Sequence, residues 1–370
     1  MSADLADSLD SQLELDPLTG TVLAVQANYY WVKLDLPAAP ADAALSFLLC
    51  TRRTRLKKIG QRVMVGDQVQ VEEPDWQGRR GAIAEVFPRK TELDRPPIAN
   101  ATQILLVFAL AEPNLEPMQL SRFLVKAEST GLAICLCLSK SDLVSTADQA
   151  AWISRLQQWG YHPLLISLPQ EQGFSELLAA LSCKTTVVSG PSGVGKSSLI
   201  NRLIPKVDLR TSAVSGKLGR GRHTTRHVEL FELPTGGFLA DTPGFNQPDL
   251  SCAPIELAHY FPEARQRRAE ADCQFADCLH RDEPNCAVRG DWERYEHYLT
   301  FLEEVIAHQQ TLDRSSDAEA TTKVKSKGDG QLKAEPKLAA KKYRRPSRRT
   351  EKQGLQTLYQ DVDELEVEAD

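Results

Sequence analysis

Short segments of β-branched and aromatic residues, several of them alternating with polar ones, occupy the first quarter of the chain. Turn residues, among them Gly60, Gly66 and Gly78, separate these segments: 21–25, 30–34, 68–72 and 82–86. Such segments are typical of strands that bury one face. About five strands within about 70 residues predict a small β-barrel of the OB type. We place this barrel at residues 19–92.

Apolar runs alternate with helical segments between residues 98 and 250. The runs occupy 103–108, 133–138, 163–167 and 185–189, and segments with helical character lie between them: 120–130, 147–159 and 174–181. Apolar strands joined by helices predict a parallel α/β sheet. The stretch Arg95-Pro96-Pro97 is stiff and extended, so it marks the boundary with the barrel.

The two ends of the chain and its last third differ from this pattern. Residues 251–313 predict a helical domain that a group of cysteines interrupts, and residues 314–370 lose apolar periodicity. Within 323–352 there are eight lysines and four arginines against three acidic residues, whereas 361–370 is acidic. We therefore expect a disordered tail, first basic and then acidic, and a flexible N-terminus at 1–18.

Composition places the chain among soluble proteins. Hydrophobic residues make up 42% and charged residues 25%, and the net charge of -6 gives no overall nucleic-acid signal. The N-terminus lacks a basic start followed by an apolar core, so no signal peptide is predicted. The longest apolar runs, 104–111 and 132–138, are far below the roughly 20 residues that span a bilayer. We expect a cytoplasmic monomer with no membrane partner.

A glycine-rich motif follows the strand segment 185–189. Residues 190–197 match GxxxxGK[ST], and a helical segment, 198–203, comes next. In this context backbone N–H groups and the helix N-terminus wrap nucleotide phosphates. Lys196 is expected to reach the β- and γ-phosphates, and Ser197 to bind Mg²⁺. The predicted nucleotide-binding residues of this loop are Gly190, Pro191, Ser192, Gly193, Val194, Gly195, Lys196, Ser197 and Ser198.

A DxxG motif, Asp241 to Gly244, follows the strand segment 237–240. At this distance from the phosphate loop, Asp241 is expected near Mg²⁺ and the Gly244 N–H near the γ-phosphate. The basic, glycine-rich segment 217–226 lies between the two motifs. It is either a plain surface loop or a loop that closes on Mg²⁺ through Thr224 or Thr225, and we assign Thr225.

The best match to the guanine-selecting motif [NT]KxD lies upstream of the phosphate loop. Ser139, Lys140 and Asp142 follow the strand segment 133–138, and Ser167 follows 163–166. Asp142 would accept hydrogen bonds from the base, and Ser167 would belong to a second base-binding loop. Because both segments normally follow DxxG, the order of the motifs is permuted.

Three clustered cysteines and a histidine predict a metal site: Cys273, Cys278, His280 and Cys286. Three thiolates and one imidazole form a closed tetrahedral set suited to one structural Zn²⁺. The alternative is a set of buried free thiols. The other five cysteines are scattered and fit small apolar core residues.

A basic run lies in the predicted barrel: Arg52, Arg53, Arg55, Lys57 and Lys58. Such a run is either a solvated loop or, on an OB-type barrel, an RNA contact.

The motifs and their order resemble the ribosome-small-subunit-dependent GTPases known as RsgA, YjeQ or EngC. The resemblance covers roughly residues 20–310 and rests on Arg95-Pro96-Pro97 with Asn100, residues 190–201, 221–225, 241–245 and the metal cluster. It implies an OB barrel, a circularly permuted GTPase domain, a zinc domain, GTP and GDP as ligands, and late maturation of the small ribosomal subunit through its rRNA.

Three positions bear on this resemblance. Ser139 stands where the family usually has Asn, and Leu168 where Ala is usual, so we expect the base-binding loops to be held less well. Phe245 cannot orient the attacking water. The resemblance instead suggests His223, whose imidazole can orient or deprotonate water near neutral pH.

The leading hypothesis is a GTP hydrolase that the small ribosomal subunit stimulates. Hydrolysis would then release the protein from the subunit. The alternatives are an ATP-using phosphotransferase, and an RNA-binding module that keeps nucleotide for its structure alone.

Overall fold

The computed structural model of the chain describes residues 17–36, 46–94, 96–204, 228–241, 249–319, 322–326 and 332–336. The chain forms two compact units, Met1–Ile306 and Ala307–Asp370. In the described residues, no helix has both the length and the apolar character needed to cross a membrane.

Five strands form the predicted barrel at the start of the first unit. They pair in the order β1-β2-β3-β5-β4, and β4 closes the barrel by pairing with β1. Alternate residues of β2, Tyr30, Val32 and Leu34, point into its apolar core. A short helix, α1, follows β3. The bounds are β1 Thr19–Gln26, β2 Tyr29–Leu34, β3 Phe47–Arg52, α1 Thr54–Lys58, β4 Gln68–Asp75 and β5 Arg80–Val86.

A hairpin of β6 (Glu92–Asp94) and β7 (Pro97–Ala99) connects the barrel to a second sheet. That sheet has the order β10-β9-β8-β11-β13-β12, and all its pairs are parallel except β12 with β13. The strands are β8 Gln103–Ala109, β9 Ala133–Ser139, β10 Leu164–Leu165, β11 Thr185–Ser189, β12 Glu229–Glu232 and β13 Phe238–Asp241. This arrangement confirms the predicted α/β sheet.

Helices cover both faces of this sheet. On one face α2 and α3 bury Leu120, Phe123 and Leu156 against β8 and β9. On the other face α4 and α5 bury Leu177 and Leu199. Strand β8 lies inside the sheet, between β9 and β11, and is covered on both faces, so it is buried along its whole length, which explains its uninterrupted apolar sequence. The helices are α2 Pro117–Glu128, α3 Thr146–Gln158, α4 Phe174–Leu181 and α5 Lys196–Leu203.

Barrel and α/β sheet share a continuous hydrogen-bonded edge. Strand β1 pairs antiparallel with β12 through Ala24 and Glu229, so eleven strands form one sheet. Lys33 of β2 forms an ion pair with Glu232 of β12, and its ammonium lies 5.6 Å from the ring centroid of Phe238. Strand β12 was not predicted from the sequence pattern.

The cysteine-containing region is helical at both ends. A 3₁₀ segment (Pro254–Tyr260) and α6 (Pro262–Glu270) precede the cluster, and α7 (Tyr295–Glu319) follows it. Phe261, Tyr298 and Phe301 form an aromatic core that packs on Val125 of α2. Trp292 lies before α7, and its Nε1 donates to the Val288 carbonyl at 2.9 Å.

Part of the predicted disordered tail is described. It comprises the end of α7 and two antiparallel strands, β14 (Thr322–Ser326) and β15 (Leu332–Pro336), which pair from Thr322 with Pro336 to Ser326 with Leu332. The rest of that tail, and residues 1–16 of the predicted flexible N-terminus, lie outside the described residues.

Candidate nucleotide-binding and metal sites

The predicted phosphate loop connects β11 to α5 at the carboxyl edge of the sheet. Gly190 has a φ of 140°, and a Cβ there would lie 2.1 Å from the Val107 carbonyl oxygen of β8. Only glycine fits such a close approach. Lys196 begins α5, and its ammonium turns back into the loop, where it donates to the carbonyls of Gly190, at 2.7 Å, and Pro191.

Ser139, the last residue of β9, lies directly against the phosphate loop. Its hydroxyl oxygen is 2.6 Å from the Val194 carbonyl oxygen and 3.2 Å from that of Phe108, and the side chain is buried. Although serine is shorter than asparagine, it spans this gap. The hydroxyl therefore ties the end of β9 to the middle of the phosphate loop.

The remaining residues of the predicted base site come from two neighbouring strands. Strands β9 and β10 are parallel, so the loops after them meet at one edge of the sheet. Ser167 donates to Asp142 Oδ1 at 2.6 Å, and the Ser141 N–H donates to the Ile166 carbonyl at 3.2 Å. Lys140 has a left-handed backbone and donates to the Glu112 carbonyl.

The DxxG region is described only up to its first residue. Asp241 ends β13 and pairs through its backbone with Val188, next to the start of the phosphate loop. Four further predicted residues lie outside the described part of the chain: His223, Thr224, Thr225 and Gly244.

The predicted metal ligands converge on one point. The ligand atoms of Cys273, Cys278, His280 and Cys286 all lie within 4.8 Å of one another. His280 Nδ1 is 3.3 Å from Cys286 Sγ and 3.5 Å from Cys273 Sγ, and the two sulfurs are 4.0 Å apart. A tetrahedral Zn²⁺ with bonds of about 2.3 Å to sulfur and 2.0 Å to nitrogen requires separations of about 3.5–3.8 Å. The cluster can therefore hold a metal ion.

Hydrogen bonds from outside the cluster fix the loop that carries it. Tyr295 donates to the His280 carbonyl at 2.8 Å, and Tyr298 to the Leu279 carbonyl at 2.6 Å. The Glu283 carboxylate accepts the N–H groups of Leu279 and Arg281. Burial opposes ionisation of Glu283, but these backbone bonds dominate and lower its pKa to about 2. Burial also raises the pKa of Cys278 to about 12, so without a cation this thiol stays neutral.

Two side chains of the basic run bind other groups of the barrel, and three are exposed to solvent. Arg52 donates to the Gln61 carbonyl at 2.8 Å, and Arg53 pairs with Glu72 and Glu73. The other three residues of the run are exposed on α1 and form no ion pair within the described part of the chain: Arg55, Lys57 and Lys58.

A buried arginine that the sequence did not mark as buried lies between the α/β domain and residues 251–306, which carry the candidate metal ligands and are here called the metal-binding region. Arg294 is fully buried and pairs through two nitrogens with Glu263, with Nε at 2.7 Å from Oε1. Its guanidinium lies 4.8 Å from the ring centroid of Trp159 and 4.9 Å from that of Phe261. Nothing in the spacing of an isolated arginine marks it as buried.

Further ion pairs surround Arg294. Arg122 of α2 pairs with Glu304 of α7, at the same face where Arg122 covers the Phe301 ring. Glu293 accepts from Arg155 and from the Trp159 indole at the end of α3. The metal-binding region is therefore attached to both helices on one face of the sheet.

Comparison with known proteins identifies the family. The model of the RsgA GTPase family matches residues 86–251. A relative from Trichormus variabilis named small ribosomal subunit biogenesis GTPase RsgA is 65% identical over 364 residues, which cover 93% of this chain and 97% of the relative. The chain belongs to the RsgA GTPase family. The resemblance proposed from the motifs is thereby confirmed.

Solved structures of RsgA-like proteins share this fold. YjeQ from Thermotoga maritima superposes with a TM-score of 0.66 at 29% identity, covering 79% of this chain and 99% of that protein. YloQ, described as a circularly permuted GTPase, superposes with a TM-score of 0.65 at 29% identity, covering 80% of this chain and 96% of that protein. Barrel, permuted α/β domain and metal-binding region thus match what the motif order predicted.

Proposed function

We propose that this chain hydrolyses GTP and assists late maturation of the small ribosomal subunit. The subunit stimulates hydrolysis, and hydrolysis then releases the protein from the subunit. The observation that carries the proposal is the contact between the base-binding and phosphate-binding loops. Ser139 bonds to Val194 within the phosphate loop, and Ser167 donates to Asp142, which lies three residues after Ser139. The permuted motifs therefore meet in space. The role in small-subunit maturation is supported by the name of the relatives, small ribosomal subunit biogenesis GTPase.

Each predicted residue has a role in this proposal. The backbone of residues 190–198 wraps the phosphates, Lys196 neutralises charge on the β- and γ-phosphates, and Asp142 accepts hydrogen bonds from guanine. Ser197, Thr225 and Asp241 would hold Mg²⁺, which supplies further charge neutralisation when bound. The Gly244 N–H senses the γ-phosphate, and His223 orients the attacking water.

The metal-binding region would hold one structural Zn²⁺. Three thiolates and one imidazole complete a tetrahedron and leave no open position for substrate. Tyr295, Tyr298 and Glu283 bind the backbone around the ligands, so these bonds and the ion together would set the shape of this loop.

The barrel would contact ribosomal RNA through its basic run. Arg55, Lys57 and Lys58 are the members whose charges are exposed on α1, whereas Arg52 and Arg53 also bind groups of the barrel itself. The protein would act as a cytoplasmic monomer. The domain limits we propose are 1–18, 19–92, 98–250, 251–313 and 314–370.

Hydrolysis measured with and without purified small subunits tests this function. Wild type is expected to hydrolyse GTP slowly alone and much faster with subunits, and Lys196→Ala to be inactive in both conditions. His223→Ala should lose most of the stimulation while it still binds subunits in the presence of GTP. Equal rates with and without subunits would contradict the proposal and favour the RNA-binding module with structural nucleotide. Equal competition by ATP would favour the phosphotransferase.

A further inference from the structure

One row of backbone pairs joins the barrel to the nucleotide-binding sheet. Ala24 of β1 pairs with Trp31 inside the barrel and, on its other edge, with Glu229 of β12. The register of β1 shifts between Val22 and Ala24, where the edge that pairs with β4 passes to β12. Strand β12 is therefore held by the barrel on one side and by β13 on the other.

The same row continues towards the phosphate loop. Glu229 pairs with Asp241 at the end of β13, and Asp241 pairs with Val188 of β11, two residues before Gly190. Neighbouring strands lie about 4.8 Å apart, so the row covers roughly 14 Å from β1 to β11. The backbone of Asp241 is thus held between the strand that leads into the phosphate loop and a strand that the barrel holds.

Lys33 of β2 holds the other end of the hairpin that β12 and β13 form. Its ammonium pairs with Glu232 and lies 5.6 Å from the ring centroid of Phe238, which is the direct strand partner of Glu232. One side chain of the barrel therefore contacts both strands, at the end of the hairpin away from Asp241. Together with the backbone pair at Ala24, this contact attaches the hairpin to the barrel at two points and fixes its orientation.

This attachment bears on magnesium because the proposed ligands belong to two different parts of the sheet. Ser197 lies on α5, which follows β11, whereas Asp241 ends the hairpin and Thr225 precedes Glu229 by four residues. Mg²⁺ requires near-ideal octahedral geometry, so a small displacement between its ligands weakens its binding. A rotation of the hairpin would displace Asp241 from Ser197, while the base-binding and phosphate-binding loops, which follow β9, β10 and β11, would keep their contacts.

We propose that Lys33 is a positioning residue for the Mg²⁺ side of the nucleotide site. By holding both strands of the hairpin, it makes the hairpin follow the barrel, so the position of the barrel sets the alignment of Asp241 with Ser197. The inference rests on the proposed function for the assignment of these two residues to Mg²⁺. It requires neither hydrolysis nor ribosomal particles, so it can be tested on the isolated protein.

The test is a Mg²⁺ titration of the full chain bound to a fluorescent, non-hydrolysable GTP analogue, read as the rate at which excess unlabelled GTP displaces the label. Lys33→Met keeps the apolar stem and removes the charge. It should raise the Mg²⁺ concentration for half-maximal retention roughly three- to tenfold. Its affinity for the analogue in chelator, without Mg²⁺, should remain that of wild type. Lys33→Arg keeps the ion pair and the aromatic contact, so it should behave as wild type throughout.

Arg122→Met is the matched control, because Arg122 also joins two parts of the fold through one ion pair and one aromatic contact. Its guanidinium lies 4.6 Å from the ring centroid of Phe301. The side chains of Arg122 and its partner Glu304 are 27% and 46% exposed. Those of Lys33 and Glu232 are 25% and 42% exposed. Arg122→Met should lower the midpoint of thermal unfolding about as much as Lys33→Met does, but leave the Mg²⁺ dependence unchanged.

A double variant shows whether one contact is responsible. Lys33→Met with Glu232→Gln should shift the Mg²⁺ dependence no further than Lys33→Met alone, because both changes remove the same ion pair. Additive shifts, or equal Mg²⁺ dependence of Lys33→Met and Arg122→Met, would overturn the inference. Equal weakening of nucleotide binding with and without Mg²⁺ would also overturn it, because Lys33 would then stabilise the whole domain and not the Mg²⁺ side.

Asp241→Asn separates this inference from the proposed function. It should raise the half-maximal Mg²⁺ concentration more than Lys33→Met does, because it alters a proposed ligand itself. A shift in Asp241→Asn without one in Lys33→Met would refute the positioning role and leave the nucleotide site standing. If Asp241→Asn has no effect, the assignment of the Mg²⁺ ligand is wrong and the inference falls with it.

Discussion

Replacing Arg294 by methionine removes the buried charge that joins the metal-binding region to the α/β domain. Methionine keeps much of the apolar volume between Trp159 and Phe261, so the main loss is the ion pair. The Glu263 carboxylate, whose side chain is 11% exposed, would remain without its partner. Breaking such a buried pair typically costs about 3–5 kcal/mol, because an uncompensated charge is left behind.

Hydrogen exchange measures this loss where it occurs. We expect amides of α6 and of the first half of α7 to exchange roughly a hundredfold to a few thousandfold faster in Arg294→Met, since each 1.4 kcal/mol changes an opening equilibrium about tenfold. GDP and zinc concentrations must be held constant, because ligands that bind the folded state alter the same equilibrium.

Two further proteins make the measurement decisive. In Arg294→Met with Glu263→Leu no charge is buried, so exchange should return to within about tenfold of wild type. Arg281→Met removes an exposed pair with Asp282 and should change stability by less than about 1 kcal/mol. The reasoning is refuted if Arg294→Met exchanges within about threefold of wild type, or if the double variant exchanges faster than the single one. In either case the buried Arg294–Glu263 pair does not stabilise the metal-binding region.

Three other outcomes follow from the sites. Asp142→Asn should weaken GTP binding at least tenfold in a nucleotide-displacement assay, because an amide cannot accept both N–H bonds of guanine. The midpoint of thermal unfolding should stay near that of wild type. If ATP displaced the bound nucleotide as well as GTP does, the guanine assignment would be wrong. Ser139→Ala should cost about 1–3 kcal/mol in GDP-bound stability, measured by thermal unfolding, because the Val194 carbonyl loses its donor. Purified protein should contain about one zinc per chain by mass spectrometry, and Cys278→Ser should lose it together with the protection of residues 251–306 from protease; intact protection in a metal-free sample would count against a structural ion.

Local patterns predicted the elements that carry the nucleotide site. Strand β11 and the glycine loop after it occur where the motif placed them, and β9 ends at Ser139 as the apolar run indicated. These predictions succeeded because strand, glycine loop and helix follow one another along the chain. Likewise the four candidate metal ligands lie within 14 residues and share one loop.

Contacts between distant segments were not predictable in the same way. Strand β12 is only four residues long and gains its place by pairing with β13 and β1, so its sequence carries little signal. The sequence around Arg294 does not distinguish it from a surface arginine. It is buried because Glu263 and Trp159 contact it, and both are far from it in sequence. The contact of Ser139 with Val194 could not be predicted for a similar reason. Side-chain length alone does not show how near Val194 lies.

The permuted order of the motifs does not separate them in space, because Ser139 at the end of β9 contacts Val194 of the phosphate loop. Strand β11 lies between β8 and β13 in the sheet, so the phosphate loop is flanked by their carboxyl ends whichever strand comes first in sequence. What the permutation does change is the connection out of the domain. After β13 the chain leads directly into the metal-binding region, with Pro254 only thirteen residues beyond Asp241. The same region is anchored to α2 and α3 by Arg294 and its neighbours, so covalent and noncovalent connections both join it to the nucleotide-binding domain. If the γ-phosphate acts on this region, we expect it to do so through the short covalent connection after Asp241 and not through the face that Arg294 anchors. The Arg294→Met protein should therefore bind GTP normally while its metal-binding region loosens.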